Sequence, residues 1–477
     1  MLNWEESISK LLKDATHTYP LYNPHTREKI TDIPECSNEQ MEKAISIAKD
    51  AFQNMKTLTS NERANILENA YTLIEENKKL FAETITLEAG KPIKYSRGEV
   101  ERTIQTLKFA AIEARKLEGE SIRLDAAPGG DGRDAYTIFQ PIGIVGAITP
   151  FNFPLNLVAH KVGPALAVGN SIIVKPAEKT PLSSFLLMEV FEKAGLPKGA
   201  FQVITGDGPR LGNVLCHHPD IAKISFTGSP SVGKIIKSQV GLKKVTLELG
   251  NNSALYIDES MKEKLDEIAE KAVVGAFSYN GQVCISTQRI YVHEKLFHEF
   301  ITAFKERTER LIYGNPMDET TDISAIIDEK AQTRILQWIK EAQQEGANLI
   351  TGGEKIEHGI KPTILTNVAS DSKLSCQEVF GPVVIVNPVP SAEEALTEMN
   401  ASEYGLNAGV FTYHLPQAFR FAHELEVGQV LINDLPTLRF DHMPYGGIKS
   451  SGYGYEGIKY AMQEMVHRKL ISMNYSF

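Results

Sequence analysis

The stretch Ser278-Tyr279-Asn280-Gly281-Gln282-Val283-Cys284-Ile285 sets one thiol just past a Gly-Gln pair. Ahead of it, the small-residue run from Ala272 to Ser278 reads as the end of a helix. Gly281 breaks that pattern and lets backbone approach another group closely. A sulfur on the loop after such a break can project into a cleft and act as a nucleophile. The plainer reading is a buried structural cysteine, because free cysteine packs as a small hydrophobe. What decides between them is which other groups the chain brings to the same place.

Ile142 to Gly250 alternates apolar strands with helices. Strands are expected at Gly143–Thr149, Ser171–Lys175, Phe201–Thr205, Ile221–Thr227 and Lys244–Leu249, with helices between them. Buried strands joined by crossover helices make a parallel sheet. Ligands of such sheets gather outside the carboxyl ends of the strands. Asn152, Lys175, Gly206, Ser229 and Glu248 all fall at or just past those ends. Residues 253 to 430 alternate again and form a second α/β layer. Before the first sheet come helices at 2–12, 37–55, 60–88 and 99–115, the second opened by a Ser37/Gln40 capping box. Strand-like pieces at 120–124 and 134–139 flank a Pro-Gly-Gly-Asp-Gly turn and read as a projecting hairpin.

Thr149-Pro150-Phe151-Asn152-Phe153-Pro154, Leu247-Glu248-Leu249-Gly250-Asn251 and the Cys284 stretch, in this chain order, resemble the aldehyde dehydrogenase superfamily. The resemblance continues through Lys175-Pro176-Ala177-Glu178, Phe226-Thr227-Gly228-Ser229, Glu378-Val379-Phe380-Gly381-Pro382 and Pro444-Tyr445-Gly446-Gly447-Ile448-Lys449, and covers the chain from about Tyr22 onward. It implies a Rossmann-like parallel-sheet cofactor domain (1–117 and 138–252), a second α/β catalytic domain (253–445), and an oligomerisation arm with a C-terminal segment (118–137 and 446–477). It also implies that Cys284 adds to an aldehyde carbon, giving a thiohemiacetal and then a thioester. The Asn152 amide and the Cys284 backbone N–H match the family's donors to the adduct oxygen, where each donor is worth a few kcal/mol. Glu248 is the candidate base for hydrolysis, since a carboxylate ending an apolar strand is poorly solvated and its pKa rises. Coenzyme-A-acylating members lack this glutamate, so its presence points to a free acid product; acylation is the alternative reading. The family often has Trp where Phe151 stands and Gly where Asn251 stands; neither departure removes a catalytic group.

The same resemblance assigns a nicotinamide cofactor to Thr149, Pro150, Lys175, Ala177, Glu178, Gly208, Gly212, Phe226, Thr227, Gly228, Ser229, Leu249, Gly250, Glu378 and Phe380. Glu178 would repel a ribose 2′-phosphate, so NAD is expected over NADP. Ser229 opens a helix whose N-terminus would face the pyrophosphate. The ending Arg439-Phe440-Asp441-His442-Met443-Pro444-Tyr445 looks like the branch with lactaldehyde and non-phosphorylating glyceraldehyde-3-phosphate dehydrogenases. The expected substrate is a small polar or anionic aldehyde, with Arg102, His160 and Arg439 as candidate anion holders.

The net charge of -10, from 50 basic and 60 acidic residues, disfavours a general nucleic-acid binder. Cys36, Cys216, Cys284 and Cys376 show no metal-type Cys-x-x-Cys spacing, and no metal site is expected. So few thiols in a chain this long suit a reducing compartment. The N-terminus reads as neither signal peptide nor membrane span, so the cytoplasm is expected. The hairpin and C-terminal strand imply a homodimer or homotetramer.

Overall fold

The computed structural model describes residues 2–12 and 15–475. Met1, Lys13, Asp14, Ser476 and Phe477, which the expected terminal segments include, lie outside the described residues.

Two sheets carry the architecture. In the first, the strands run in the order Gly452–Tyr453, Lys244–Glu248, Ile221–Thr227, Ile144–Ile148, Ser171–Lys175 and Phe201–Val203. All neighbours are parallel except the edge strand Gly452–Tyr453, which runs antiparallel against Leu247 and Glu248. The chain starts in the centre at Ile144–Ile148, builds outward to Phe201–Val203, then returns to build the other side. That reversal leaves a crevice at the carboxyl ends of Ile144–Ile148 and Ile221–Thr227. The strands are apolar on both faces because helices cover both.

The second sheet has seven strands, ordered Asn348–Thr351, Thr363–Thr366, Val383–Val389, Arg289–His293, Ala254–Ile257, Asn407–Phe411 and Gln429–Ile432. It is parallel apart from Asn348–Thr351. A third sheet joins Val466–Asn474, Arg133–Pro141 and Ser121–Ile122. The C-terminal strand thus pairs within its own chain, over the full length of Arg133–Pro141, and is the edge strand of this sheet among the described residues. The expected hairpin shrinks to Ser121–Ile122 on one side, followed by a 3-10 turn at Leu124–Ala126.

The helical pattern expected over 60–88 is two helices, Ser60–Glu76 and Lys78–Ala89. Asn77 breaks it: its side chain turns back to the Leu73 carbonyl at 2.8 Å, the local competition that disfavours Asn inside helices. The capping box there is Thr59 with Glu62, one position before the Ser60/Arg63 pair that carries none. The next helix begins at Ile93 rather than at Glu99, directly after Pro92.

Candidate active site

Cys284 hangs from a backbone that is left-handed for three successive residues, Tyr279 (φ 50), Asn280 (φ 56) and Gly281 (φ 65). The helix Leu265–Phe277 therefore ends four residues before the glycine. Left-handed Tyr and Asn cost energy and persist only where their surroundings hold them. Here Asn280 donates to the Ala325 carbonyl (2.7 Å) and accepts from the Ser324 N–H (2.8 Å). Tyr279 donates to the Ala89 carbonyl (3.1 Å), and Gln282 accepts from the Ile327 N–H (3.0 Å). At Gly281 a Cβ would run into the Gly381 carbonyl, so the glycine is required by space as well as by φ.

Asn152 lies on the loop after the central strand. Its Nδ2 donates to the Gln282 carbonyl (3.0 Å), two residues before the thiol, and its Oδ1 is buried without a partner. The loop is tied to the thiol loop by Lys91, whose ammonium lies 3.8 Å from the Phe153 ring centroid and 4.5 Å from that of Tyr279. Lys91 is paired with Glu99 at 2.5 Å, and Glu99 accepts from the backbone N–H groups of Leu155 and Asn156 at the start of the next helix.

Glu248 ends its strand 3 % exposed, with neither carboxylate oxygen partnered. Burial, and then the negative charge of Glu456, push its pKa well above the usual carboxylate range, against the pull of Arg439 and Lys161. Glu456 is the opposite case. Burial works against its ionisation, but Lys161 and then Arg439 and His160 bring it down to about 2. The Lys161 ammonium donates to Glu456 (2.6 Å), Thr227 (2.8 Å) and Ser225 (3.2 Å). Of the two buried carboxyls, Glu456 is held ionised by its cationic neighbours and Glu248 is pushed towards its neutral form, the separation expected of a fixed counter-ion beside an acid–base group. Cys284 is partly open to the cavity, yet burial pushes its thiol up to about 11; Tyr445 and Arg439 oppose this, Glu378 and Glu248 add to it.

A cavity of about 1100 Å³ runs across the crevice of the first sheet. Thr149, Pro150, Asn152 and Cys284 line it, with Phe226, Thr227, Gly228, Ser229, Leu249 and Gly250. Lys175, Ala177, Glu178, Gly208 and Gly212 line it away from the thiol's loop, and Glu378 and Phe380 close another side. Glu248 is not among the lining residues, although Leu249 and Gly250 are. Several features suit a dinucleotide. Lys175 and Glu178 pair at 2.5 Å with the glutamate side chain 45% exposed. Thr149 Oγ1 is buried without a partner. Ser229 caps the helix Pro230–Gln239, whose N-terminus borders the cavity. At Gly250 a Cβ would stand 2.6 Å from a Glu378 oxygen, so a side chain there would displace the Glu378 carboxylate. Burial pushes Glu378 up to about 7, against the Asn251 N–H and Arg334.

Arg102, His160 and Arg439 do not line this cavity, and each already has a carboxylate. Arg102 and His160 both meet Asp441 Oδ1, at 2.7 and 2.8 Å, and Arg439 meets Glu456 at 3.3 Å. The three candidate anion holders are therefore already engaged: Asp441 holds Arg102 and His160, and Glu456 holds Arg439, whose buried cation needs a counter-ion. Burial, then Arg439, lowers the His160 pKa despite Asp441. Burial alone would raise Asp441, but His160 and Arg102 hold its carboxyl well below the usual carboxylate range.

A profile of the aldehyde dehydrogenase family matches residues 11–471. The chain belongs to the aldehyde dehydrogenase family. Among relatives, a 3-sulfolactaldehyde dehydrogenase of Priestia aryabhattai is 45% identical over 473 residues, 99% of this chain and 96% of the relative. A lactaldehyde dehydrogenase of Methanococcus aeolicus is 42% identical over 456 residues, 95% of this chain and 96% of the relative. The crystal structure of glyceraldehyde-3-phosphate dehydrogenase GapN from Methanocaldococcus jannaschii, complexed with NADP, superposes with a TM-score of 0.91 at 39% identity, covering 96% of this chain and all of that one (100%). This aldehyde dehydrogenase is an NAD(P)-dependent oxidoreductase with the α/β architecture of its family. Among its described residues no helix is long and apolar enough to cross a membrane.

Four buried residues around the candidate site carry no assigned role in the sequence: Lys161, Asp441, Tyr445 and Glu456. Asp441 and Tyr445 sit inside the Arg439-to-Gly447 run, and that run was the available signal. Lys161 and Glu456 are 295 positions apart and carry no local signature. Replacing Asp441 with Asn should strand Arg102 beside a neutral amide and cost about 3 kcal/mol, the scale of a broken buried pair. Because the folded pKa is depressed, the contribution of Asp441 is present above about pH 4, its unfolded value, and is lost as pH falls. Chemical denaturation should therefore show the gap between wild type and Asp441→Asn largest above that pH and closing below it. A gap independent of pH would contradict this account.

Proposed function

We propose that this enzyme oxidises a small 2-hydroxylated or anionic aldehyde, of the lactaldehyde, sulfolactaldehyde, glyceraldehyde-3-phosphate or semialdehyde type, to its free acid. The preferred cofactor is NAD. The carrying observation is Glu248, a buried carboxyl without a hydrogen-bond partner, directly before Leu249 and Gly250 in the wall of the cavity that Cys284 also lines. Cys284 is the nucleophile. Its sulfur adds to the aldehyde carbon, and the carbonyl pair moves onto the oxygen, which Asn152 Nδ2 and the Cys284 N–H receive. Asn152 has a second N–H for this purpose beyond the one spent on Gln282. Lys175 and Glu178 would hold the adenosine ribose, Ser229 and its helix the pyrophosphate, and Glu378 the nicotinamide ribose. A nicotinamide bound there would supply the acceptor for the adduct's hydride. Glu248 then removes a proton from the water that attacks the thioester, and Cys284 leaves as thiol.

The substrate class is supported by the names of the two relatives and by GapN. The preference for NAD is supported by the exposed Glu178 carboxylate, although GapN binds NADP. The same reading divides the chain into a cofactor domain (1–117 and 138–252), a catalytic domain (253–445) and an oligomerisation arm with the C-terminal segment. A cytoplasmic homodimer or homotetramer would use the edge strand Val466–Asn474, where Leu470 and Met473 are exposed. A panel of aldehydes assayed with NAD and with NADP tests the proposal. The small hydroxylated and acidic aldehydes should exceed long-chain aliphatic ones by at least about tenfold in kcat/KM, a difference of about 1.4 kcal/mol in transition-state binding. Highest efficiency on long aliphatic chains would overturn the substrate class, and a preference for NADP would overturn the cofactor.

A further inference from the structure

Tyr445 is the side chain whose polar atom stands within hydrogen-bond distance of the Cys284 sulfur among the described residues, its hydroxyl 3.3 Å away. The ring is buried at 2 % exposure and held from several sides. Arg439 lies over its face, with the guanidinium carbon 3.6 Å from the centroid. Arg439 is fixed in turn by Glu456. The backbones of Tyr445 and Glu456 exchange both hydrogen bonds, at 3.1 and 2.6 Å. The lysine, arginine and glutamate around the acid–base group thus share a clamp with this one hydroxyl. A phenylalanine would fill the same apolar space beside Ile285 and Leu406, so packing does not explain the oxygen.

We propose that Tyr445 is a further catalytic residue, its hydroxyl donating a hydrogen bond to the Cys284 sulfur as the thiol ionises and attacks. The inference rests on Cys284 being the nucleophile. In the step, the S–H proton leaves to solvent, a sulfur lone pair forms the C–S bond, and the carbonyl π pair moves to oxygen. Tyr445 keeps its own proton throughout. Burial, and then Cys284 and Glu248, raise it well above the ordinary phenol range, with Arg439 opposing. A protonated phenol can only donate to a thiolate, and a donor to an anion stabilises it. Facing the sulfur, Tyr445 and Arg439 favour the anion, while Glu378 and Glu248 disfavour it. Arg439 gives charge at a distance; Tyr445 gives a directed bond.

The test reads the thiol directly and needs no aldehyde turnover. The full-length enzyme is alkylated with iodoacetamide across pH, the sulfur displacing iodide, and labelling of the Cys284 peptide is followed by mass spectrometry. In Tyr445→Phe, which keeps the ring under Arg439, the midpoint should rise by about one pH unit, so that labelling at pH 8 slows about tenfold. Replacing Tyr445 with 3-fluorotyrosine, a stronger donor of nearly the same shape, should shift the midpoint downward. The fluorinated enzyme decides the matter alone if the phenylalanine variant does not fold. Superimposable profiles for wild type and either folded variant would overturn the proposal. A Cys284→Ala enzyme that still turned over would instead defeat the underlying assignment of the nucleophile, a separable result.

Discussion

Cys284→Ala is expected to abolish aldehyde-dependent NADH formation, by on the order of 10⁴-fold or more, while NAD affinity measured by calorimetry stays unchanged. Loss of a nucleophile removes the covalent route itself, and such losses are among the largest single-residue effects in enzymes. The binding control matters because Cys284 lies on a loop held in an unfavourable backbone conformation. That loop is fixed through Tyr279, Asn280 and Gln282, not through the thiol. Removing the sulfur should therefore leave the cavity intact. Unchanged turnover in this variant would refute the mechanism outright.

Glu248→Gln should separate the two halves of the reaction. One NADH per active site should form rapidly, followed by steady-state turnover about 10²- to 10⁴-fold slower than wild type, the usual range for a lost general base. In the wild type, burial and Glu456 raise the Glu248 pKa, and it serves as a base only once ionised. The hydrolytic limb should therefore climb with pH in the wild type and flatten in the variant. Stopped-flow absorbance at the NADH band reads both phases. Full steady-state turnover of the variant without coenzyme A would count against Glu248 as the base. Rescue of the wild-type rate by coenzyme A, with a thioester product, would favour acyl transfer instead.

Much of this protein is legible in its sequence because its signals are local. Strand and helix alternation follows from apolar runs punctuated by glycine and proline, and both strands predicted as Ser171–Lys175 and Ile221–Thr227 have those bounds in the fold. A parallel sheet places loop residues at its carboxyl edge whatever their spacing. That is why Asn152, Lys175, Ser229 and Gly250 all border one cavity with Cys284. Asn251 also has a local consequence. Its side chain donates to Ser253 (2.6 Å) and its N–H to Glu378 (2.9 Å), so it pins the turn after Glu248.

What the tertiary structure decided is which charges are free. Residue types and spacing named Arg102, His160 and Arg439 as cations near the chemistry, but nothing local says that Asp441 and Glu456 already neutralise them. Nor does any pattern pair Lys161 with a carboxylate nearly three hundred positions away, set a tyrosine hydroxyl against the thiol, or leave Glu248 without a partner. The sequence determined the family and the sheets and named the candidate reacting groups, since these follow from backbone periodicity and from motifs a few residues long. The protonation state of each group depends on burial and on charges delivered from distant segments, and those exist only after the chain has folded.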